Sequence, residues 1–228
     1  MQKAAVNTPS RRSGRGERTR QLILDATLEV IAEGGVRAVT HRAVATKADI
    51  NVSLTTYYFS DIFDMVSSAF NDFVEREKPR VEKAWSEVFG HVYRYSKAER
   101  RRKAVREDIR KRLTEIGVDY LLEKIQENRA GMSVEHHFYF ETLNDPRLRA
   151  LYETSREPVL AAMTEFSALF NRTQPEVDAE ILMGTILKIE HHALIEPPDR
   201  IDRERMERLL GRVVGWIMNL KEPLEPTD

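Results

Sequence analysis

The feature that most constrains the fold is the stretch from Thr40 to Asp61, THRAVATKADINVSLTTYYFSD. Its first threonine is a good helix N-cap, and residues 42–48 place apolar side chains on one face of a short helix. Residues 49–51 predict a tight turn, after which a second short helix runs to about Tyr58. The Ser-Asp pair at 60–61 marks the start of another helix with acidic charge in its first turn. Two short helices joined by a turn, the second polar on its outer side, form a shape that fits a DNA major groove.

A further helix is predicted before this stretch, over Glu17–Gly34, where apolar residues recur at helical spacing and a glycine pair provides a C-cap. Three helices within about 45 residues are typical of a compact DNA-binding domain. The preceding residues 1–16 combine Pro, Ser, Gly and Arg and are expected to be disordered when free. They form either a plain tail or an arginine arm that follows DNA phosphates or enters a minor groove.

The rest of the chain is predicted to be helical. One helix follows Ser60 and ends or restarts at Pro79. Later helices are predicted over 81–95, 105–128, 132–143, 148–170, 177–195 and 206–220, with breaks at Gly131, 144–146, 173–175 and 196–199. No stretch alternates clearly with period two, so the predicted class is all-α. The predicted domains are a tail at 1–16, a helix-turn-helix domain at 17–60, a larger helical domain at 61–222 and a C-terminal tail at 223–228.

Composition and charge exclude several classes of protein. There are no cysteines, which removes disulfides, thiolate zinc sites and thiol nucleophiles. No apolar run approaches the roughly 20 residues that span a bilayer, and no apolar signal core follows the N-terminal arginines, so neither membrane insertion nor secretion is expected. Residues 1–60 carry nine basic and five acidic side chains, so the net charge of −1 for the whole chain leaves −5 for the remainder. A basic N-terminal part on an acidic body suggests that one end meets phosphate.

Residues 18–65 resemble the helix-turn-helix domain of the tetracycline-repressor (TetR/AcrR) family. The family pattern is roughly I-x-x-A-x-x-x-[LVI]-[FI]-x-x-x-G, followed by T-[TV]-R-x-[IV]-A-x-x-A-G-V-S-x-x-x-[LIV]-Y-x-[HY]-F. The matching residues are Ile23, Ala26, Val30, Ile31 and Gly35 in the first part, and Thr40, Arg42, Val44, Ala45, Ala48, Ile50, Tyr58 and Phe59 in the second. A joint match over about 45 residues is specific, whereas a match to one helix alone would be weak.

The chain departs from the family pattern at four positions of this region. Asp49 replaces the usual turn glycine, Asn51 the usual serine, Thr56 the usual tyrosine, and Ile62 a lysine that many relatives carry. Aspartate tolerates a left-handed backbone better than most residues, so the turn is expected to be preserved. The Thr56 hydroxyl has a shorter reach to phosphate than a tyrosine, which leaves Tyr57 and Tyr58 as substitutes. The isoleucine at 62 removes one expected phosphate contact.

The resemblance implies that this domain binds a double-stranded DNA operator. Thr40 and Tyr58 are expected to contact phosphate, and Arg42 a phosphate or a guanine edge. The residues expected to face the major groove are Asn51, Val52, Ser53, Leu54, Thr56 and Tyr57. For Val52, Ser53 and Leu54 simple exposure is an equal alternative, and the tyrosines can instead lie partly in the core.

In this family the C-terminal helices form a ligand pocket and a dimer interface, so the resemblance implies a small-molecule effector and a homodimer through C-terminal helices. Candidate ligand contacts on the helices that line the pocket in this family are Trp85, Phe89, Tyr120, His136, His137, Phe138, Phe140 and Phe166. Each aromatic residue could instead fill the core. The last two helices carry wide apolar stripes, which fit either an interface or plain core.

Two histidine clusters and one basic run allow other interpretations. The segments 135–141 and 190–192 combine His with Glu, but neither has the Glu-x-x-His spacing of a di-iron bundle. No metal site is therefore predicted, and no cofactor is expected. The run from Arg94 to Arg112 holds ten basic residues against three acidic ones. It is either a solvated helix face or a surface for DNA phosphate or an acidic partner.

The sequence therefore predicts a ligand-responsive, DNA-binding transcriptional regulator, more specifically a repressor, and not an enzyme. It is expected in the cytoplasm, bound as a homodimer to a pseudo-palindromic operator and released or altered by its effector. One alternative is a helical-bundle metal- or ligand-binding protein or enzyme with an incidental helix-turn-helix match. Another is a constitutive DNA-binding protein whose helical body takes no ligand.

Overall fold

The predicted all-α class is confirmed by a computed structural model of the chain, which describes residues 11–197 and 200–221. Within these ranges every regular element is a helix. The chain divides into two units, Met1–Phe73 and Val74–Asp228. The predicted C-terminal tail at 223–228 lies outside the described residues, as do residues 1–10 of the predicted N-terminal tail.

The first unit is built around three short elements that follow one long helix. The helices are α1 (Arg11–Gly34), α2 (His41–Lys47) and α3 (Val52–Tyr58), with a 3₁₀ turn over Val36–Ala38 between the first two. The buried apolar residues of this unit include Ile23, Leu24, Ile31, Val44, Phe59, Met65 and Phe70, each at most 2% exposed. Apolar burial on this scale is what holds short helices that would not be stable alone.

Helix α1 begins at Arg11, six residues before the predicted start at Glu17. Residues 11–16 are thus helical, contrary to the prediction of a disordered tail up to residue 16. Arginine is among the better helix formers, and two glycines in this segment do not outweigh that propensity next to an established helix. The Thr19 hydroxyl also donates to the Arg15 carbonyl at 3.1 Å, inside the same turn.

Helix α4 (Ile62–Val92) runs without interruption through Pro79, so the predicted end or restart at that residue was wrong. Proline in a helix interior removes one backbone hydrogen bond and crowds the preceding turn. Pro79 is exposed, and on that side water can hydrate the carbonyl that lost its partner. The division between the two units falls inside this helix, after Phe73.

The second unit contains the remaining helices of the described part. They are α5 (Lys103–Glu127), α6 (Arg129–Glu141), α7 (Pro146–Ala168), α8 (Pro175–Ile195) and α9 (Arg203–Ile217), together with the later part of α4. The predicted breaks at 144–146 and 173–175 are confirmed, and α8 ends at Ile195, directly before the predicted break at 196–199, of which residues 198 and 199 lie outside the described residues. One large apolar cluster unites these helices, with Ile109, Leu121, Met132, Phe166, Ile189 and Met218 at most 2% exposed.

The predicted break at Gly131 was wrong, because this glycine lies inside α6 and the break falls at Asn128. The Asn128 side chain caps α6 by accepting a hydrogen bond from the Gly131 N–H at 3.0 Å. A Cβ atom at position 131 would overlap the capping side chain. The glycine is therefore required by the cap rather than by a turn.

Candidate DNA-binding surface and buried ionic cluster

The turn between α2 and α3 depends on Asp49, whose φ is 53°. This is the left-handed region, where most L-residues are strained and glycine is favoured. Aspartate is one of the few other residues that tolerate it. The expectation that Asp49 preserves the turn in place of the family glycine is thus confirmed.

Side-chain caps fix the N-termini of both short helices. The Thr40 hydroxyl accepts a hydrogen bond from the Ala43 N–H at 3.0 Å at the start of α2. At the start of α3, the Asn51 Oδ1 accepts from the Ser53 N–H at 2.9 Å and from the Ser53 hydroxyl at 2.8 Å. Asparagine and serine are comparable N-caps, so replacement of the family serine by Asn51 keeps the local chemistry.

The inner side of α3 is anchored by a buried threonine. Thr55 is fully buried, and its hydroxyl donates to the Val52 carbonyl at 2.8 Å. Because that proton is used, the hydroxyl accepts from Nδ1 of His41 at 2.9 Å, which requires the Nδ1–H form of the ring. Sequence analysis missed His41, whose only signal was its place directly after the Thr40 cap.

The outer side of α3 is exposed and uncharged. Val52, Ser53, Thr56 and Tyr57 lie on this side, and Tyr57 is 79% exposed. Tyr58 is half-buried and meets the Tyr57 ring edge-on at a centroid distance of 5.0 Å. We call Val52, Ser53, Thr56 and Tyr57 the outer face of α3. Of the nine predicted DNA contacts, all but Leu54 and Tyr58 are exposed, and these two are half-buried.

Two basic side chains of α2 differ in their availability. Arg42 is exposed and has no ion-pair partner within the described ranges. Lys47 donates to both carboxylate oxygens of Glu33, at 2.7 and 2.8 Å. The hydrogen bond and charge of Glu33 raise the pKa of Lys47, so this lysine stays charged but is already paired. Ile62, which stands in place of a family lysine, is the partly buried first residue of α4.

A buried ionic cluster lies in the second unit, where α5, α6, α7 and α8 each contribute a charged residue. Lys124 Nζ donates to Glu135 Oε2 at 2.7 Å and to Glu190 Oε1 at 2.8 Å. Arg156 Nη2 approaches the same Glu135 oxygen at 3.5 Å and lies over the Tyr152 ring at 5.1 Å. Lys124 and Glu190 are each 2% exposed. We call Lys124, Glu135, Arg156 and Glu190 the ionic cluster.

Mutual attraction keeps Lys124 and Glu135 charged. Burial alone would lower the pKa of Lys124, but the charges of Glu135 and Glu190 hold that pKa above its ordinary value. Burial alone would raise the pKa of Glu135, and the charges of Lys124 and Arg156 hold it below its ordinary value instead. Next to the cluster, burial lowers the pKa of His136 and raises the pKa of Tyr120 to about 12. Both neighbours are therefore neutral at pH 7.

At the ionic cluster, two polar atoms have no hydrogen-bond partner among the described residues. These are Nε2 of His136 and Oε2 of Glu190, which are buried and lie 4.0 Å apart. The His136 ring also lies 5.7 Å from the ring of His191. A buried acceptor or donor that is left unpaired costs on the order of 1–3 kcal/mol. These two atoms are thus the polar groups of this region that are best placed to bind a further molecule.

The other predicted ligand contacts are distributed unevenly. Trp85 and Phe89 are half-buried neighbours on α4, with their ring centroids 5.7 Å apart. Phe138 and Phe166 are buried in the apolar core, whereas Phe140 is 53% exposed. His137 is half-buried on α6. The structure brings Tyr120 and His136 to the ionic cluster and leaves Phe140 on the surface.

A cleft of about 220 Å³ lies between α4 and α5. Its lining consists of Arg80, Lys83, Ala84, Glu87, Arg112, Ile116, Asp119, Tyr120 and Glu123. Ion pairs cross it, including Arg80 with Glu123 at 3.8 Å and Arg112 with Glu87 at 3.9 Å. Tyr120 therefore belongs to the wall of this cleft, and Lys124 follows it by one turn of α5.

Sequence analysis missed the basic members of the ionic cluster, Lys124 and Arg156. The signal for Lys124 was its place between Leu121 and Ile125, two buried positions of the same helix. A lysine inside an apolar stripe is rarely buried unless it is paired. The sequence did contain both carboxylates, but nothing in it indicated that α5, α6 and α8 meet at this point.

The basic run from Arg94 to Arg112 does not form one surface. Arg110 is 3% exposed, and Arg106 donates to the Met218 carbonyl at 2.7 Å. Arg94, Lys97, Arg101 and Arg102 are exposed. Part of the run therefore secures the start of α5 inside the unit, and part of it is solvated.

Within the residues that the structure covers, no group of three or more His, Cys, Asp or Glu side chains is placed to hold a metal ion. No helix in the same part of the chain is long and apolar enough to cross a bilayer.

Two family models match the chain. The model for bacterial regulatory proteins of the tetR family matches residues 23–69, and the model for the tetracyclin repressor-like C-terminal domain matches residues 108–216. The first match covers the helix-turn-helix and the start of α4. The second covers the helices that carry the ionic cluster.

Known regulators are similar to the chain in sequence and fold. It is 26% identical over 176 residues to the HTH-type transcriptional regulator BetI of Burkholderia cenocepacia, across 76% of this chain and 80% of the relative. It is 35% identical over 85 residues to the HTH-type transcriptional repressor KstR of Mycolicibacterium smegmatis, across 37% of this chain and 42% of the relative. The crystal structure of a transcriptional regulator from Rhodococcus sp. Rha1 has a similar fold, with a TM-score of 0.68 and 17% identity over 88% of this chain and 96% of that one.

Proposed function

The chain belongs to the tetracycline-repressor (TetR/AcrR) family of DNA-binding transcriptional regulators, and we propose that it is a cytoplasmic repressor controlled by a small molecule. In this proposal a homodimer binds a pseudo-palindromic operator, and an effector bound in the second unit weakens that binding. The observation that carries the DNA-binding step is the uncharged, exposed outer face of α3, together with the exposed Arg42 of α2, which has no ion-pair partner among the described residues.

The proposed DNA contacts follow from exposure and hydrogen bonding. The outer face of α3 enters the major groove, because α3 is the second helix of the helix-turn-helix. Thr40 and Tyr58 contact phosphate through their hydroxyls, and Arg42 binds a phosphate or a guanine edge. Asn51 and Leu54 border the same surface, and the capping role of Asn51 holds the start of α3 in place.

Homodimerisation is supported by apolar side chains that remain exposed on α8 and α9. Val177 and Ile181 are 46% and 48% exposed on α8, and Ile195 at its end is 66% exposed. On α9, Trp216 is 57% exposed under the guanidinium of Arg212, 4.8 Å from the ring centroid. A second copy of the chain would cover these residues and supply the twofold partner that a palindromic operator requires.

The effector site is proposed at the ionic cluster, reached through the cleft between α4 and α5. Glu190 Oε2 only accepts hydrogen bonds, so a bound molecule would donate to it, and the same polar group could reach His136 Nε2. Since α4 continues from the second unit into the first, a shift of this helix on effector binding can alter the DNA-binding unit. A coupling free energy on the order of 1–3 kcal/mol would suffice for regulation.

The DNA-binding step is tested with a duplex selected from random oligonucleotides. Arg42→Ala and Tyr58→Ala are each expected to weaken binding to this duplex by roughly fivefold or more, since one charged or polar DNA contact is worth about 1–3 kcal/mol. Arg172→Ala removes the same charge from the exposed loop before α8 and should leave the affinity unchanged. Equal affinities of all three variants and the parent protein would contradict the proposed site.

The effector site is tested by thermal-shift screening of small amines, alcohols and carboxylates. Compounds that stabilise the protein should carry a hydrogen-bond donor, and Glu190→Gln should reduce their effect. Glu153→Gln alters an exposed carboxylate of α7 and serves as the matched control. A stabilising compound whose effect persists unchanged in Glu190→Gln would place the effector elsewhere.

A further inference from the structure

The helix that faces the major groove carries no side chain suited to bidentate recognition of a purine. Its sequence is VSLTTYY, without Arg, Lys, Asn or Gln. Arg or Lys is the usual partner of guanine O6 and N7, and Asn or Gln the usual partner of adenine N6 and N7. Direct recognition of purine edges from within α3 is therefore excluded for these pairings.

Asn51 is the nearest amide, and it is already engaged. Its Oδ1 accepts from the Ser53 N–H and from the Ser53 hydroxyl, at 2.9 and 2.8 Å. Bidentate binding of adenine would need both the oxygen and the nitrogen of this amide. Asn51 could supply the oxygen only by releasing the start of α3, and loss of such a cap costs about 1 kcal/mol.

The aliphatic hydroxyl protons of the outer face, on Ser53 and Thr56, are also engaged. The Ser53 hydroxyl donates to Asn51, and the Thr56 hydroxyl donates to the Ser53 carbonyl at 3.1 Å. Both oxygens can still accept, but neither proton is available to a base. The groups that the outer face presents freely are the Val52 methyl groups, the Thr56 methyl group, and the Tyr57 ring with its single hydroxyl.

The charged neighbours of α3 add little recognition of guanine. Lys47 is held by both oxygens of Glu33. Arg42 is exposed and lacks an ion-pair partner among the described side chains, and it lies on α2. One arginine can bind one guanine or one phosphate, so guanine contacts from α2 are limited to a single position in each half-site.

We propose that α3 recognises its half-site mainly through the 5-methyl groups of thymine. Thymine is the only base that places a methyl group in the major groove, and apolar side chains are its usual partners. Val52, Thr56 and Tyr57 are spaced along one exposed side of the helix, so they can contact successive bases. The inference rests on the proposed operator binding and adds the chemical basis of its specificity.

Replacement of thymine by deoxyuridine tests the inference directly, because it removes the methyl group and leaves base pairing intact. Each thymine of the selected duplex is replaced in turn, and dissociation constants are measured by fluorescence anisotropy at fixed salt. At two or more positions in each half-site we expect about a fourfold loss, the equivalent of ~0.8 kcal/mol for one buried methyl group. At the same positions, 5-methylcytosine should bind more tightly than cytosine by a similar factor.

Two variants connect the methyl effect to the outer face. Tyr57→Phe keeps the ring and should keep the ratio of thymine to uracil affinity, whereas Tyr57→Ala should bring that ratio close to one at one position. Lys47→Ala is the control, since a change at this paired lysine should affect both duplexes equally. Circular dichroism of each variant verifies that the helices remain folded.

The outcomes separate this inference from the function on which it rests. If no duplex is enriched by selection, the proposed operator binding fails. If a selected duplex binds tightly but tolerates uracil at every position, only recognition through methyl groups fails. A loss of tenfold or more on replacing several guanines of one half-site with 7-deazaguanine would likewise overturn the inference, because it would reveal purine recognition that α3 lacks.

Discussion

Replacement of Lys124 by methionine tests whether the ionic cluster is held together as described. Methionine has a similar length and apolar stem, so the substitution removes the ammonium group and little of the packing. Lys124 Nζ is the group that bonds both carboxylates, at 2.7 and 2.8 Å. Without it, Glu190 loses its hydrogen-bonding cation, and Glu135 keeps Arg156 at 3.5 Å as its cation among the described residues.

The expected loss of stability is large because water cannot reach the buried carboxylate of Glu190 to replace the ammonium group. Glu190 is 2% exposed, and removal of one partner from a buried ion pair typically costs about 3–5 kcal/mol. For a chain of this size each kcal/mol lowers the melting temperature by roughly 2–4 °C. We therefore expect Lys124→Met to melt about 6–20 °C below the parent protein at pH 7.

The deficit should depend on pH in a direction that the pKa shifts determine. In the parent protein the pKa of Glu135 is held below its usual 4.5, so its contribution to stability is present above that pH and is lost as the pH falls further. In Lys124→Met, burial without the ammonium raises the pKa of Glu135 instead. Protonation then removes the unpaired buried charge from the variant. The difference in melting temperature between the variant and the parent protein should therefore shrink between pH 7 and pH 5.

Differential scanning calorimetry over this pH range provides the measurement. Lys111→Met is the matched control, because Lys111 is an exposed lysine of the same helix, and its melting temperature should change by less than about 2 °C. The double variant Lys124→Met/Glu190→Gln should recover part of the loss. A small decrease at pH 7, or a deficit that stays constant down to pH 5, would refute the description of the cluster as buried and ion-paired.

Three further predictions concern the turn before α3, the ion pair of Lys47 and the cap of α6. Asp49→Val should lower the free energy of unfolding by about 1–2 kcal/mol, since a β-branched residue is strained at a φ of 53°. Asp49→Gly should not lower it, and urea titration compares the two variants. Glu33→Gln should release Lys47 to bind DNA phosphate, so the affinity for any duplex should rise. The plot of log affinity against log salt concentration should steepen by about 0.9, and an unchanged slope would contradict this. Gly131→Ala should displace the Asn128 cap and cost about 1 kcal/mol or more, measured as a lower melting temperature.

Local signals in the sequence were sufficient for the helix-turn-helix. Capping residues, the left-handed turn and the burial pattern act over a few residues, so the roles of Thr40 and Asp49 follow from their immediate neighbours in the chain. Pro79 shows the limit of such rules. Its effect on α4 depends on whether the affected turn faces solvent, which is a property of the packed helix.

The ionic cluster could not be predicted for a related reason. Lys124 and Glu190 are 66 residues apart, and each alone is indistinguishable from a surface charge. Only the meeting of α5 and α8 makes them partners. The break predicted at Gly131 was wrong for the same reason at short range, because the role of this glycine depends on the side chain of Asn128 packing against it.

The central claim is that this chain recognises a palindromic DNA operator through α3, and selection from random oligonucleotides tests it most directly. We expect enrichment of two inverted half-sites whose centres lie about one DNA turn apart, roughly 34–36 Å, or a multiple of that spacing. Each half-site should contain thymines at fixed positions. A lack of enrichment, or a single half-site without an inverted copy, would contradict the account.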